Sequence, residues 1–234
     1  MAPKKGKHRD SKLVITSFHE AGHAVAARIC GFPLEHIEIC VRSGKGREGE
    51  TRAMFGETHH LHYHKIFYLL AGPLAERFAD YGARYDGSIG ALKDVAEATI
   101  LIMRLMKPDD STPAKKAQSN STFKDSFIHE DEINFVSHHL NAISREANVV
   151  LDSSAVKHAI DKLGNRLIEL GNGVLPGTEA THYIDSMLGH LVGSLAPPNW
   201  YVNICRNSIG WDQGVYDEEW RQIKEGLTIY TCKS

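Results

Sequence analysis

The pentapeptide His19-Glu20-Ala21-Gly22-His23 constrains this chain more than any other stretch. It reads H-E-x-x-H. Apolar residues recur around it at Val14, Phe18, Ala21, Val25 and Ile29, and that period predicts an amphipathic helix over Ser11–Cys30. Asp10 or Ser11 can cap its start, and Gly31 followed by Pro33 stops it. Histidines four apart lie on one helical face, a turn apart, so both imidazoles can reach a single metal ion. Glu20 is the next position round the helix. It sets a carboxylate beside the metal's open coordination position, where it can take a proton from water. Gly22 stands out, because a glycine inside a helix costs about 1 kcal/mol relative to alanine. Another backbone or a ligand is expected to pack against that turn. The same five letters also arise by chance, as two surface histidines flanking a helical glutamate, so other segments must separate the two readings.

Phe18 to Val25, F-H-E-A-G-H-A-V, closely resembles the peptidase helix of the FtsH family, the membrane-anchored AAA zinc proteases. Three later segments fall in that family's order. Leu70-Ala71-Gly72-Pro73-Leu74-Ala75-Glu76 looks like its L-G-G-x-x-A-E segment, with Pro73 as a departure that predicts a kink or a helix restart. Gly90-Ala91-Leu92-Lys93-Asp94-Val95 is similar to its G-A-x-x-D segment, whose aspartate is the third zinc ligand. The run from Leu163 and Leu167 to Gly173-Val174-Leu175-Pro176-Gly177-Thr178-Glu179 looks like its late L-x-x-x-L…G-x-L-x-G-x-E pattern. The resemblance covers about Leu13 to Asp185.

The resemblance implies a mainly α (α+β) fold, zincin-like, with a small β-hairpin or sheet beside the metal-binding helix. It implies Zn2+ held by His19, His23 and Asp94, with Glu20 as the general base of a zinc metalloendopeptidase. Two neutral imidazoles and one carboxylate leave a single open position for water, whose pKa falls to about 7 on zinc. An aspartate in a first helical turn also compensates the helix dipole. Glu76 and Glu97 remain rival third ligands, because other zinc proteases take a glutamate from a downstream helix.

The chain departs from the family in what accompanies the peptidase. Gly44-Lys45-Gly46-Arg47-Glu48-Gly49-Glu50-Thr51 has the outline of a phosphate-binding loop, but Glu50 stands where the lysine belongs and would repel a phosphate. No other nucleotide motif occurs. The expected activity is therefore ATP-independent hydrolysis of peptide bonds in a peptide or unfolded-protein substrate. A separate ATPase or adaptor, and a homo-oligomer like the family's six-membered rings, stay open as partners. The alternative is a zinc-stabilised protein-interaction module, derived from a protease, with little or no turnover.

Composition narrows the rest. Apolar residues make up 42% and charged residues 24%, as in ordinary globular proteins, and the net charge of -2 supplies no field for nucleic acid. No apolar segment follows the N-terminal lysines and no run has the length of a membrane span, so a cytoplasmic protein without a membrane span is expected. Cys30, Cys40, Cys205 and Cys232 show no metal or disulfide spacing and read as reduced thiols.

Three segments follow. Residues 1–10 are a basic tail expected to be disordered, 11–187 the FtsH-like zinc peptidase domain, and 188–234 a C-terminal extension expected to pack on the core. Within the domain, His36–Val41 alternates as a strand, Ser43–Gly49 reads as a turn and Glu50–Phe55 as a second strand. The stretch Thr51–Phe55 either holds substrate backbone by β-augmentation or simply covers the core. His59, His60, His62 and His64 read as a polar loop and helix start, with a secondary metal site as the other option. Helices are expected over His62–Asp80, Ile89–Met106, Glu130–Leu151 and Ser153–Leu170, and residues 107–126 form a polar loop. Pro197-Pro198 marks a boundary, and Trp200, Trp211 and Trp220 read as packing anchors beyond it.

Overall fold

The computed structural model describes residues 11–42, 46–55, 62–79, 89–106 and 130–206, together with Arg221. The basic tail 1–10, His59 and His60, the polar segment 107–126, and Trp211, Trp220 and Cys232 lie outside the described residues. Among the described residues the protein is mainly helical, with one small antiparallel sheet.

Helix α1 (Ser11–Ile29) runs through the core. Its middle is built from alanines and Val25, and Ala21, Ala24, Val25, Ala26 and Ala27 have no solvent exposure. Small side chains let neighbours approach from several directions at once. Helix α2 (His62–Ala75), helix α5 (Ser154–Leu170) and strand β2 (Gly46–Ala53) all pack against it. The helix stops where Gly31 and Pro33 predict. Gly31 takes a φ of 87°, and the Phe32 and Gly31 amides donate to the Ala27 and Arg28 carbonyls at 2.8 and 3.0 Å. That pair of bonds is a Schellman cap, and the left-handed residue in it favours glycine.

The chain then forms a hairpin of β1 (Leu34–Arg42) and β2. Strand β2 lies earlier than the expected Glu50–Phe55. Ile39 pairs with Gly49 and Arg42 with Gly46, so the ladder continues into the stretch that reads as a turn. Backbone pairing forms the ladder there, and side-chain composition does not report it. The same pairing places Gly46 to Thr51 of the phosphate-loop outline in a strand. At the other end Met54 and Phe55 leave the ladder. The Met54 amide donates to the Pro33 carbonyl at 2.9 Å, and the Phe55 ring packs on Phe32 and Tyr68 with centroids 4.6 and 4.7 Å apart.

A third strand, β3 (Gly173–Pro176), pairs antiparallel with β1 and gives the order β2-β1-β3. It was not expected from the sequence. Four residues bounded by glycine and proline carry almost no periodic signal, and the strand exists because β1 offers a partner. Strand β2 is thus an edge of the sheet. Ile37 and Ile39 point into the core, which puts His36 and Glu38 on the outer face.

Helix α2 passes through Pro73 without a break and ends at Ala75, followed by a 3-10 turn over Glu76–Phe78. The helix does not restart at Pro73, and the tightening begins at Glu76. Helices α3 (Ile89–Met106) and α4 (Glu130–Leu151) pack on α2, and helix α6 (Gly177–Leu188) packs on β1. Buried Arg28 ties α6 to the end of α1, with Nε and Nη2 donating to Asp185 at 2.8 and 2.7 Å. Beyond Leu188 the Gly193 and Leu195 amides donate to the Arg28 and Ile29 carbonyls. Helix α7 (Asn199–Arg206) buries Tyr201 against Tyr63, and Trp200 Nε1 donates to Glu146 at 2.8 Å. No helix among the described residues is long and apolar enough to cross a membrane.

Candidate metal centre

Helix α1 carries His19 and His23 on one face, and the start of α3 brings Asp94 to meet them. The two Nε2 atoms are 3.0 Å apart. Asp94 Oδ2 lies 2.9 Å from His19 Nε2 and 3.1 Å from His23 Nε2. Both histidines are buried and Asp94 is partly buried. These three residues, with His23 and Asp94 71 positions apart, form a group with the size and donor types of a metal site.

The outward nitrogens decide what the inward ones can do. His23 Nδ1 lies 2.8 Å from the Tyr68 carbonyl oxygen, which only accepts, so Nδ1–H donates there. His19 Nδ1 lies 2.6 Å from Glu76 Oε1 and donates to that carboxylate. In the neutral state each Nε2 is then a bare lone pair. Two lone pairs and a carboxylate oxygen converge within hydrogen-bond distance, and each accepts without donating. Such an arrangement repels itself unless a proton on His19 Nε2 or a metal cation sits among the three. A zinc ion fits the donor set, and the Nδ1 contacts to a carboxylate and a carbonyl are the partners that usually orient zinc-binding imidazoles.

Charge distribution agrees. Burial works against a charge on His19. The bonds to Asp94 and Glu76, with the charges of Glu20 and Asp94, outweigh it and push the His19 pKa up to about 10. Burial works to raise the Asp94 carboxyl, but His19 and His23 outweigh it and hold it well below the usual carboxylate range. A site that grips a proton this strongly is a site of negative potential, suited to a divalent cation.

Packing explains the glycines. A Cβ on Gly22 would lie 2.5 Å from the Ala71 carbonyl oxygen and from the Ala75 Cβ. A Cβ on Gly72 would lie 2.3 Å from His23 Nε2. Helices α1 and α2 therefore touch through bare backbone beside the two histidines, as the cost of Gly22 predicts. The turn after α2 then buries Glu76 beneath His19, with its side chain fully enclosed. Glu76, a rival ligand by sequence, sits behind His19 on the side away from Asp94. Glu97 is exposed on α3 and stands outside the three-residue group.

Glu20 is 4% exposed and lies against β2, where a Cβ on Gly49 would meet its Cγ and Oε1 at 2.5 Å. Its carboxylate has no hydrogen bond to any described residue. Thr51 fixes the strand to this helix, with Oγ1 donating to the Glu20 carbonyl at 3.0 Å. Tyr68 closes the connection. Its hydroxyl donates to the Thr51 carbonyl at 2.5 Å, and its ring centroid lies 4.6 Å from that of His23. Burial first, then the charges of Glu20 and Asp94, hold the Tyr68 hydroxyl well above its ordinary pKa, so it stays protonated as a donor. Gly49 and Tyr68 were not singled out by sequence reasoning, and Thr51 was marked only as the start of the stretch that could hold substrate backbone. No spacing signal links them to α1, because their roles come from the hairpin folding over it.

The histidine cluster divides. His64 is buried in the core, with Nε2 donating to the Leu195 carbonyl at 2.8 Å. Burial, only partly opposed by that bond, pushes its pKa down to about 4. His62 and His64 join no three-ligand group among the described residues. Cys30 is buried, and Cys40 is half-buried; burial raises the Cys30 thiol pKa.

Fold and site together define a mainly helical protein with a buried His–His–Asp cluster under the edge strand of a small sheet. No protein-family model matches the chain, and no curated protein matches it.

Proposed function

We propose that this chain is a zinc-dependent, ATP-independent metalloendopeptidase with an FtsH-like, zincin-type peptidase fold, working in the cytoplasm on peptides or unfolded segments. One observation carries the reading: three acceptors from α1 and α3 converge with both Nδ1 atoms already committed as donors. His19, His23 and Asp94 would hold Zn2+, which when bound supplies Lewis acidity toward a water and a scissile carbonyl.

The chain's own residues supply the remainder. Glu20, whose carboxylate has no protein hydrogen bond among the described residues, takes a proton from water onto a carboxylate oxygen and gives it to the leaving amine nitrogen. Glu76 and the Tyr68 carbonyl hold the two imidazoles in one tautomer and orientation. Edge strand β2 offers unpaired backbone groups to an extended substrate beside Glu20. Folded substrates would need a separate ATPase or adaptor to unfold them.

The Glu20→Gln variant tests this. It is expected to keep its zinc and lose hydrolysis of an unstructured casein-like substrate by at least about 100-fold. Undiminished, chelator-sensitive cleavage would rule out Glu20 as the base. A second reading, a zinc-stabilised interaction module with little turnover, draws support from the depth of the ligands, since His19 and His23 are only 6% and 4% exposed. Hydrolysis measured with and without a chelator separates the two: the module shows no chelator-dependent cleavage.

A further inference from the structure

We propose that His36, Glu38 and Glu50 form a second site, on the outer face of the sheet, for a divalent transition-metal cation of the zinc class. It is separate from the buried cluster and does not depend on that cluster being catalytic. The three side chains each offer a ligand atom, and these atoms lie within 4.8 Å of one another. His36 and Glu38 are two apart on β1 and so share its outer face. Glu50 stands directly opposite Glu38 on β2.

The backbone fixes this grouping. Both strands belong to one ladder, with Ile37 and Ile39 anchoring the other face in the core, so the donors cannot drift apart by a change of register. Donors sharing one zinc sit roughly 3.3 Å apart, from bonds of about 2.0–2.1 Å at tetrahedral angles. Rotation of the two glutamate side chains covers the difference.

A charge imbalance in the hairpin points to a cation. Like charges directly opposite on neighbouring strands are destabilising. No described lysine or arginine pairs with Glu38 or Glu50. Arg52, opposite His36, turns instead to Glu35 at 3.1 Å. A cation bound by both carboxylates turns that repulsion into a bridge between the strands. The imidazole selects the metal class: nitrogen with two carboxylate oxygens suits zinc, cobalt or nickel better than calcium or magnesium. Glu50 lies between Gly49, against Glu20, and Thr51, bonded to the Glu20 carbonyl. The bridge therefore stiffens the strand that covers the buried centre.

Zinc titration of the full chain against a competing chromophoric chelator tests this. The wild type is expected to take up two saturable equivalents. His36→Ala and the conservative Glu50→Gln should each weaken the second by at least about tenfold while leaving the other in place. Asp94→Ala should retain the equivalent bound by His36, Glu38 and Glu50. A single equivalent in the wild type that both strand variants keep, or a second one that survives both strand variants unchanged, overturns the proposal. If the wild type takes up one equivalent that Asp94→Ala keeps and His36→Ala loses, this site stands and the buried zinc site fails.

Discussion

His19 is the residue on which the site balances. It is pulled by Asp94 through Nε2 and by Glu76 through Nδ1, so its environment demands positive charge on one side and a fixed tautomer on the other. Replacing Glu76 with glutamine keeps the shape of the contact but removes the charge that strengthens the imidazole as a donor to metal. Zinc affinity should fall about 10–100-fold, read by competition with a chelating dye. Unchanged affinity would mean that Glu76 serves packing alone. Proton binding gives a second test at the same residue. With metal removed, the His19 pKa lies at about 10 against an ordinary 6.5, so its contribution to stability is complete below pH 6.5 and is lost toward pH 10. His64 runs the other way: its pKa is lowered to about 4, so its contribution is lost as pH falls from 6.5 toward 4. Thermal unfolding of chelated protein should weaken between pH 7 and 9, and the His19→Ala variant should lack that alkaline slope. The same slope in both proteins would assign it to another group.

At the scale of elements, the contact between α1 and α2 sets the space around the His19–His23 pair. Gly22 and Gly72 both forgo a side chain, for different reasons, and alanine substitution separates them. At Gly22 the added methyl meets helix backbone and Ala75. The cost is overpacking of about 1–3 kcal/mol, or roughly 2–4 °C of Tm for each kcal/mol. At Gly72 the methyl lands on His23 Nε2, the nitrogen that faces Asp94. Zinc content, measured by atomic absorption on purified protein, should collapse in Gly72→Ala and largely survive in Gly22→Ala. Equal zinc in the two variants would show that α2 yields at this contact. The hairpin is the second decisive element. Thr51 and Tyr68 bolt β2 to both helices of the centre, so the strand and the ligands are held by one set of bonds.

For the whole molecule, the metal is expected to act as a staple. Its ligands come from α1 and from α3, which approach each other chiefly through α2. A cation bound only by the folded state stabilises it by about 2.7 kcal/mol at a hundred times its Kd. The Tm should therefore climb with free zinc and drop on chelation, and Asp94→Ala should flatten that dependence. A Tm indifferent to zinc would argue against a metal bridge between these helices. The described part of the C-terminal extension contributes in another way, by covering the end of α1 and the start of α2 with the 193–195 backbone and α7.

The sequence by itself determined the local matters. It specified helix α1, its stop at Gly31, and the pairing of His19 with His23 on one face, because a 3.6-residue period and a left-handed glycine are written in neighbouring residues. It also marked Asp94, though only through a motif, since an aspartate near a helix start has ordinary uses; in α3 it lies past the first turn, which holds no acidic residue. Tertiary structure alone decided that Asp94 and not Glu97 meets the imidazoles, that Glu76 stands behind His19, and that a third strand forms at Gly173–Pro176. Those outcomes depend on which surfaces touch across tens of residues. Contacts of that range leave no period in the chain, and they become fixed only when the helices pack and the hairpin closes over them.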